Sequence, residues 1–245
     1  MNHPALSWQQ HRPWPLPSKP WIVKQSWRNL LFLHWEIDTS WLKQFIPHGL
    51  ELDLFEDRAW LGVVPFQIDG IGRRDLPSPA WLCSFPEFNL RTYVTDGSKR
   101  GVWFFSLDIP NPLAVWAART FYHLPYHYAR MRLTQSDGKT NMFVQRGRRS
   151  FQVAYHGLEP MTAQRGSFEH WATERYCLYS QDLFGGLHRA EIHHRPWPLY
   201  SAETKITDQS FLNHWGIQGA PRSPMFSASI DVVVYPLECL GKPAP

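Results

Sequence analysis

The chain has 245 residues, 43% of them hydrophobic and 19% charged, with 13 Trp, 21 Pro and a formal net charge of +4. Each proline removes a backbone donor and resists a helix interior, so this number disfavours a helical bundle and favours β structure with many turns. The cations are scattered except for Arg146, Arg148 and Arg149 around Gly147. That cluster reads as a solvated turn, not as the basic stripe that nucleic-acid binding requires.

Cysteine usage and hydropathy narrow the class further. Cys83, Cys177 and Cys239 are odd in number and form no CxxC, which disfavours a disulfide framework and suits a reducing cytoplasm. The most apolar stretches, Gly101–Phe105 and Leu113–Ala118, fall well short of the roughly 20 residues that a membrane helix needs. The N-terminus is polar and proline-rich, without the apolar core of a targeting signal. A cytoplasmic protein with no membrane and no nucleic-acid partner is expected.

Residues 1–20 read as an extended arm, held open by Pro13, Pro15, Pro17 and Pro20. Residues 21–245 read as one domain. Trp27–Ile37 is β-favouring. Asp38 or Thr39 can cap a short helix that Pro47 and Gly49 end. Strands over 50–55 and 59–68 flank a polar turn, and Gly and Pro make a loop of 70–80. The run 88–94 alternates, with Glu87, Asn89, Arg91 and Tyr93 on one face and Phe88, Leu90, Thr92 and Val94 on the other. Val102–Leu107 is almost wholly apolar, as in a strand buried on both faces.

A helix starts at about Asn111, with Pro112 at a favourable first position, and Pro125 stops it. Strands are expected near 126–134, 140–147 and 149–156, with a turn at Ser136-Asp137-Gly138. A short helix over Ser167–Arg175 precedes strands near 175–181 and 187–194, a helix near Asp208–Trp215 and a last strand at Ser227–Tyr235. About ten strands, three short helices and no βαβ rhythm predict a mainly β (α+β) fold, a largely antiparallel sheet that is closed or folded over a core.

Chemical motifs are few. His123 and His127 stand four apart, but Pro125 between them breaks the helical spacing of a metal pair, and no other histidine has matching ligand spacing. No metal and no cofactor is predicted. There is no GxSxG, GxGxxG or Walker pattern. Glu87, Asn89 and Arg91 are the notable set: a carboxylate, an amide and a guanidinium on one strand face. They line a polar pocket if that face is inside, and form a weak surface pair if it meets solvent.

The runs PEFNLRTYV (86–94), GVWFFSLD (101–108), AARTFYHLPY (117–126) and ERYCLY (174–179) resemble the YqjF-like family of uncharacterised bacterial proteins, relatives of acetoacetate decarboxylase. The resemblance spans about residues 20 to 235 and implies an acetoacetate-decarboxylase-like β-barrel or sheet. On it, Arg28 matches an active-site arginine that could fork onto a carboxylate, and Glu87 a pocket glutamate. The Schiff-base lysine that follows a proline is matched by Tyr126, after Pro125. A phenol cannot form an imine, so decarboxylation through an iminium is not expected. The resemblance implies a pocket for a small organic acid or apolar metabolite, with Arg28, Asn89 and Arg91 as ligand-binding residues. Glu87 and Tyr126 would carry protons if any catalysis occurs without a cofactor. Homo-oligomerisation is compatible with this reading.

Overall fold

The computed structural model describes residues 3–74, 83–217 and 219–241. Strand β1 (Val23–Ile37) sets the plan of the fold, because from Leu30 to Trp35 it is buried on both faces. Successive side chains of a strand point to opposite sides. Leu30 and Phe32 therefore enter one apolar core, while Leu31, Leu33 and Trp35 enter a second.

The chain continues through helix α1 (Thr39–Lys43), β2 (Glu51–Leu52), β3 (Ala59–Arg73), β4 (Phe85–Thr95) and β5 (Arg100–Ile109). Helix α2 (Pro112–Tyr122) leads to β6 (Tyr126–Tyr128), then β7 (Arg130–Ser136), β8 (Lys139–Arg146) and β9 (Arg149–Met161). After α3 (Phe168–Thr173) come β10 (Cys177–Gln181), β11 (Leu187–His193), β12 (Leu199–Asp208), β13 (Arg222–Val234) and β14 (Glu238–Gly241).

The pairings β11–β10–β5–β4–β3–β1–β13 return to β11 and close a circuit. Most are antiparallel; β5 pairs in parallel with both β10 and β6. Two strands make closure possible by dividing an edge. The edge of β13 that faces away from β1 pairs with β12 at Met225 and Phe226, and with β11 at Val233 and Val234. The free edge of β5 likewise takes β10 at Val102 and Trp103, and β6 from Leu107 to Ile109. Close approach at the β5–β10 contact needs a glycine: a Cβ on Gly101 would lie 2.7 Å from the Cys177 carbonyl oxygen. From β13 a wing of β12, β9, β8 and β7 folds away. The first core lies inside the circuit, and the second lies outside it, between β1, β3 and β4 and the wing.

This is the mainly β architecture expected from the sequence, with local differences. β3 runs on through Gly70 to Arg73, where a loop is expected, because β1 begins at Val23 and pairs with Arg73 and Gly72. The rest of that expected loop, 75–80, lies outside the described residues. β12 escapes the sequence reading because one of its faces is wet, so Glu203 and Lys205 dilute its pattern. β14 is likewise unexpected, and residues 210–215 form a 3-10 turn, not an α-helix. Cap chemistry behaves as read: Asp38, Asn111 and Ser167 each accept backbone N–H bonds at a helix start.

Two charged features differ in role from the sequence reading. Arg146 is no solvated turn residue, since its guanidinium lies 3.1 Å from the fully buried carboxylate of Asp108. The proline-rich arm is tied down: Arg12 pairs with Glu191, and Trp14 Nε1 donates to the same carboxylate at 2.8 Å.

Candidate functional site

The circuit encloses a cavity of about 650 Å³. Its wall is mostly apolar, with Trp27, Phe66, Ile68, Phe104, Leu107 and Trp197 contributing, and α2 covers part of it through Ala114, Ala118 and Tyr122. Pockets of this size and character suit small organic ligands. Polar side chains reach the wall from several elements: Gln25 from β1, Arg73 from β3, Glu87, Asn89 and Arg91 from β4, Thr173 and Arg175 at the end of α3, and His194 just after β11. Tyr126 joins them from β6.

The polar face of β4 is thus the inner one. The question that alternation leaves open is resolved by closure of the circuit around the cavity, which leaves Phe88 and Leu90 in the outer core. Glu87 is 3% exposed. Tyr126, on the far side of β5, donates its hydroxyl to Glu87 Oε2 at 3.0 Å. Burial pushes the Glu87 carboxyl up to about 8, with Asp108 adding to the rise and hydrogen bonds from Tyr126 and Asn89 opposing it. At neutral pH Glu87 is therefore mainly a neutral acid that can itself donate a hydrogen bond. Burial, then the Glu87 charge, lifts Tyr126 well above its ordinary value. Tyr126 keeps its proton and works as a donor.

The cations are placed differently. Arg175 is ion-paired with buried Asp53, and its Nε donates to the Trp171 carbonyl at 2.6 Å. Arg91 makes no ion pair among the described residues; its Nη2 donates to the Ala172 carbonyl at 3.4 Å and its buried Nε has no partner. The guanidinium stands over the Phe32 and Tyr93 rings, 5.8 and 5.6 Å from their centroids. A positive field results. Burial first, and then Arg91, Arg175 and Arg222, hold the His34 imidazole well below its usual range. His194 is also neutral, with burial pulling it down to about 3. Its Nδ1 lies 2.7 Å from the Arg195 carbonyl, which assigns the proton to Nδ1 and leaves Nε2 as an acceptor without a partner.

Of the residues singled out in the sequence, Glu87, Asn89, Arg91 and Tyr126 meet at one cavity. Arg28 does not. Its neighbour Trp27 takes the inward position, and Asn29 follows with φ +53. Arg28 points out, with its Nε 2.6 Å from Asp69 and its side chain 55% exposed. The sequence does not mark Arg175 or His194 as ligand-facing. Arg175 stands inside the ERYCLY run, yet one arginine among polar neighbours gives no sign of burial. No lysine lines the cavity among the described residues. No group of three His, Cys, Asp or Glu side chains forms a metal cage among them either.

Solved structures share the fold. The chain superposes on acetoacetate decarboxylase from Legionella pneumophila with a TM-score of 0.67 at 11% identity, over 94% of this chain and 92% of that one. It superposes equally well, also at 0.67, on the enduracididine biosynthesis enzyme MppR complexed with pyruvate, at 12% identity over 92% and 93% of the two chains. At such identities the likeness is one of fold. Residues 24–232 match the DUF2071 family of uncharacterized conserved proteins, and the chain belongs to that family. It is 38% identical over 229 residues to the uncharacterized protein YqjF of Bacillus subtilis strain 168, covering 91% of this chain and 94% of that protein.

Proposed function

We propose that this chain binds a small organic acid with an apolar body, non-covalently, and carries out no Schiff-base decarboxylation. The observation that carries the reading is Arg91, a half-buried guanidinium on the wall of an apolar cavity, with its buried Nε unpartnered and no carboxylate beside it among the described residues. A buried donor without a partner is costly until something accepts from it, and a carboxylate matches the guanidinium fork. Neutral Glu87 and Asn89 stand on the same strand face and can hydrogen-bond a keto or hydroxyl oxygen of the same ligand. Tyr126 occupies the position where the resemblance to acetoacetate decarboxylase expects the imine-forming lysine.

The test is a thermal-shift series of wild type and Arg91→Gln against short keto acids, hydroxy acids and fatty acids. An acid at about 100 times its dissociation constant adds roughly 2.7 kcal/mol, a rise of about 5–10 °C for a chain of this size. Arg91→Gln should abolish that rise. Borohydride treatment with a keto acid should leave the intact mass unchanged. A wild type that no acid shifts sinks the reading, as does a reduced covalent adduct.

A second reading has its own support in Glu87, whose carboxyl is held at about 8 beside a phenolic donor. A group titrating there can remove a proton from carbon next to a carbonyl, with Tyr126 donating a hydrogen bond. Solvent deuterium would then enter the carbon next to the ketone of a bound keto acid, faster as pH rises through 8, and Glu87→Gln would stop it. Binding without exchange leaves the chain a binder.

A further inference from the structure

Helix α2 covers the cavity, yet no residue of it is fully buried. Leu113, Trp116 and Phe121 are 54%, 59% and 62% exposed. Phe121 also belongs to the cavity wall, and its ring lies 6.1 Å from that of Trp116, which does not. The rim of the cavity and the bare face of α2 are thus one surface. A second apolar feature adjoins it. The tip of the β10–β11 hairpin presents Leu183 and Phe184 almost wholly to solvent.

That tip is not slack. Asp182 Oδ1 accepts the Phe184 and Gly186 N–H groups, both at 2.8 Å, and Asp182 Oδ2 lies 2.9 Å from His188 Nε2. The His188 ring packs 4.9 Å from that of His123, the residue that ends α2. The structure therefore holds the tip beside the C-terminal end of the helix. Large apolar side chains kept exposed on two adjoining, well-formed elements mark an interaction surface.

Charge identifies the partner. From Ile109 to Leu158 the only acid is Asp137, against Arg119, Arg130, Arg132, Lys139, Arg148 and Arg149, with Arg146 already engaged by Asp108. Arg119 stands on α2, in its last turn, so the cationic set begins at the helix itself. Such a set disfavours a second copy of the same face. We propose that α2 and the Leu183–Phe184 tip dock on an anionic lipid surface, Trp116, Phe121, Leu183 and Phe184 entering the headgroup boundary and the arginines facing lipid phosphates. The rim of the cavity then opens at the bilayer. No helix among the described residues is long and apolar enough to span a membrane, and surface docking needs none. This inference stands on the exposed face and the cationic set, and does not depend on which ligand the cavity takes.

The test is co-sedimentation of the full chain with vesicles of phosphatidylglycerol and phosphatidylcholine in equal parts, and with phosphatidylcholine alone. Binding is expected only to the anionic vesicles, falling steeply with added salt. Trp116→Ser with Phe184→Ser should weaken it by about tenfold or more. Both side chains are exposed, so an unchanged melting temperature is the control for folding. Arg119→Glu with Arg132→Glu gives an independent loss should the first pair fold poorly. The proposal is overturned if the chain ignores anionic vesicles, binds both kinds equally, or binds regardless of these changes. It is also overturned if light scattering finds a dimer that Trp116→Ser with Phe184→Ser dissociates. The acid-induced thermal shift, measured without vesicles, should be the same in these variants as in wild type, so the fate of the cavity reading is decided separately.

Discussion

The two faces of β4 differ in what they ask of their surroundings. Outward, Phe88 and Leu90 are 0% and 2% exposed, and Phe88 packs against the rings of Phe151 and Phe211, each about 5 Å away. Inward, Glu87, Asn89 and Arg91 look into open volume, and Asn89 Oδ1 and Arg91 Nε have no partner. A buried orphan of that kind costs about 1–3 kcal/mol. Such a face persists where a cavity lets water or a ligand supply the missing partners. One face of the strand holds the protein together, and the other is held ready by it.

The largest effects should come from the outer face and from the ion pair that braces the inner one. Phe88→Ala leaves a cavity between three packed elements and should cost about 3–5 kcal/mol, read from denaturant unfolding. Asp53→Ala strips buried Arg175 of its counter-charge and should cost a similar amount, about 3–5 kcal/mol. A loss within a few tenths for either would mean that the division of labour between the faces is misplaced.

A smaller effect isolates Glu87 by pH. Its carboxyl ionises near 4.5 when unfolded and near 8 when folded, so between those values the folded chain holds the extra proton. The contribution is fully present below pH 4.5 and is lost as pH rises through 8, with a slope approaching about 1.4 kcal/mol per pH unit. Asp108, raised to about 6 by burial, adds a slope of the same sign at lower pH. Buried histidines such as His34 and His194 are held neutral and act in the opposite sense, below 6.5. From pH 6.5 to 8 the fall belongs chiefly to Glu87. Over that interval Glu87→Gln should remove about 2 kcal/mol of pH-dependent loss. A variant with the wild-type slope would mean that Glu87 is already ionised at neutral pH.

Much of this arrangement is legible in the sequence. Alternation on β4 separates the polar from the apolar set, and the Asn111-Pro112 pair marks the start of the helix that covers the cavity. What alternation cannot tell is which face is inside, because period-two patterning is blind to how the sheet closes; the circuit through β11 and β13 decides it. Arg28 shows the same limit in reverse. Its position in the chain suits a pocket residue, but the irregularity at Asn29 and the bulk of Trp27 turn it toward Asp69. Arg175 and His194 come from segments distant in sequence, and the β5–β10 and β11–β13 pairings bring them to the cavity.

The smallest change expected here separates a support from a reactive group. Tyr126→Phe deletes the hydroxyl that donates to Glu87 Oε2 and should cost about 1 kcal/mol. That bond favours the ionised carboxylate, so its loss should move the Glu87 midpoint above 8, not below it. The wild-type fall in stability between pH 6.5 and 8 would then extend to higher pH, visible in melting temperatures taken across pH 6.5–9. A downward move would make Tyr126 a group that holds Glu87 protonated. An upward move leaves it as the donor that keeps this buried acid within reach of neutral pH.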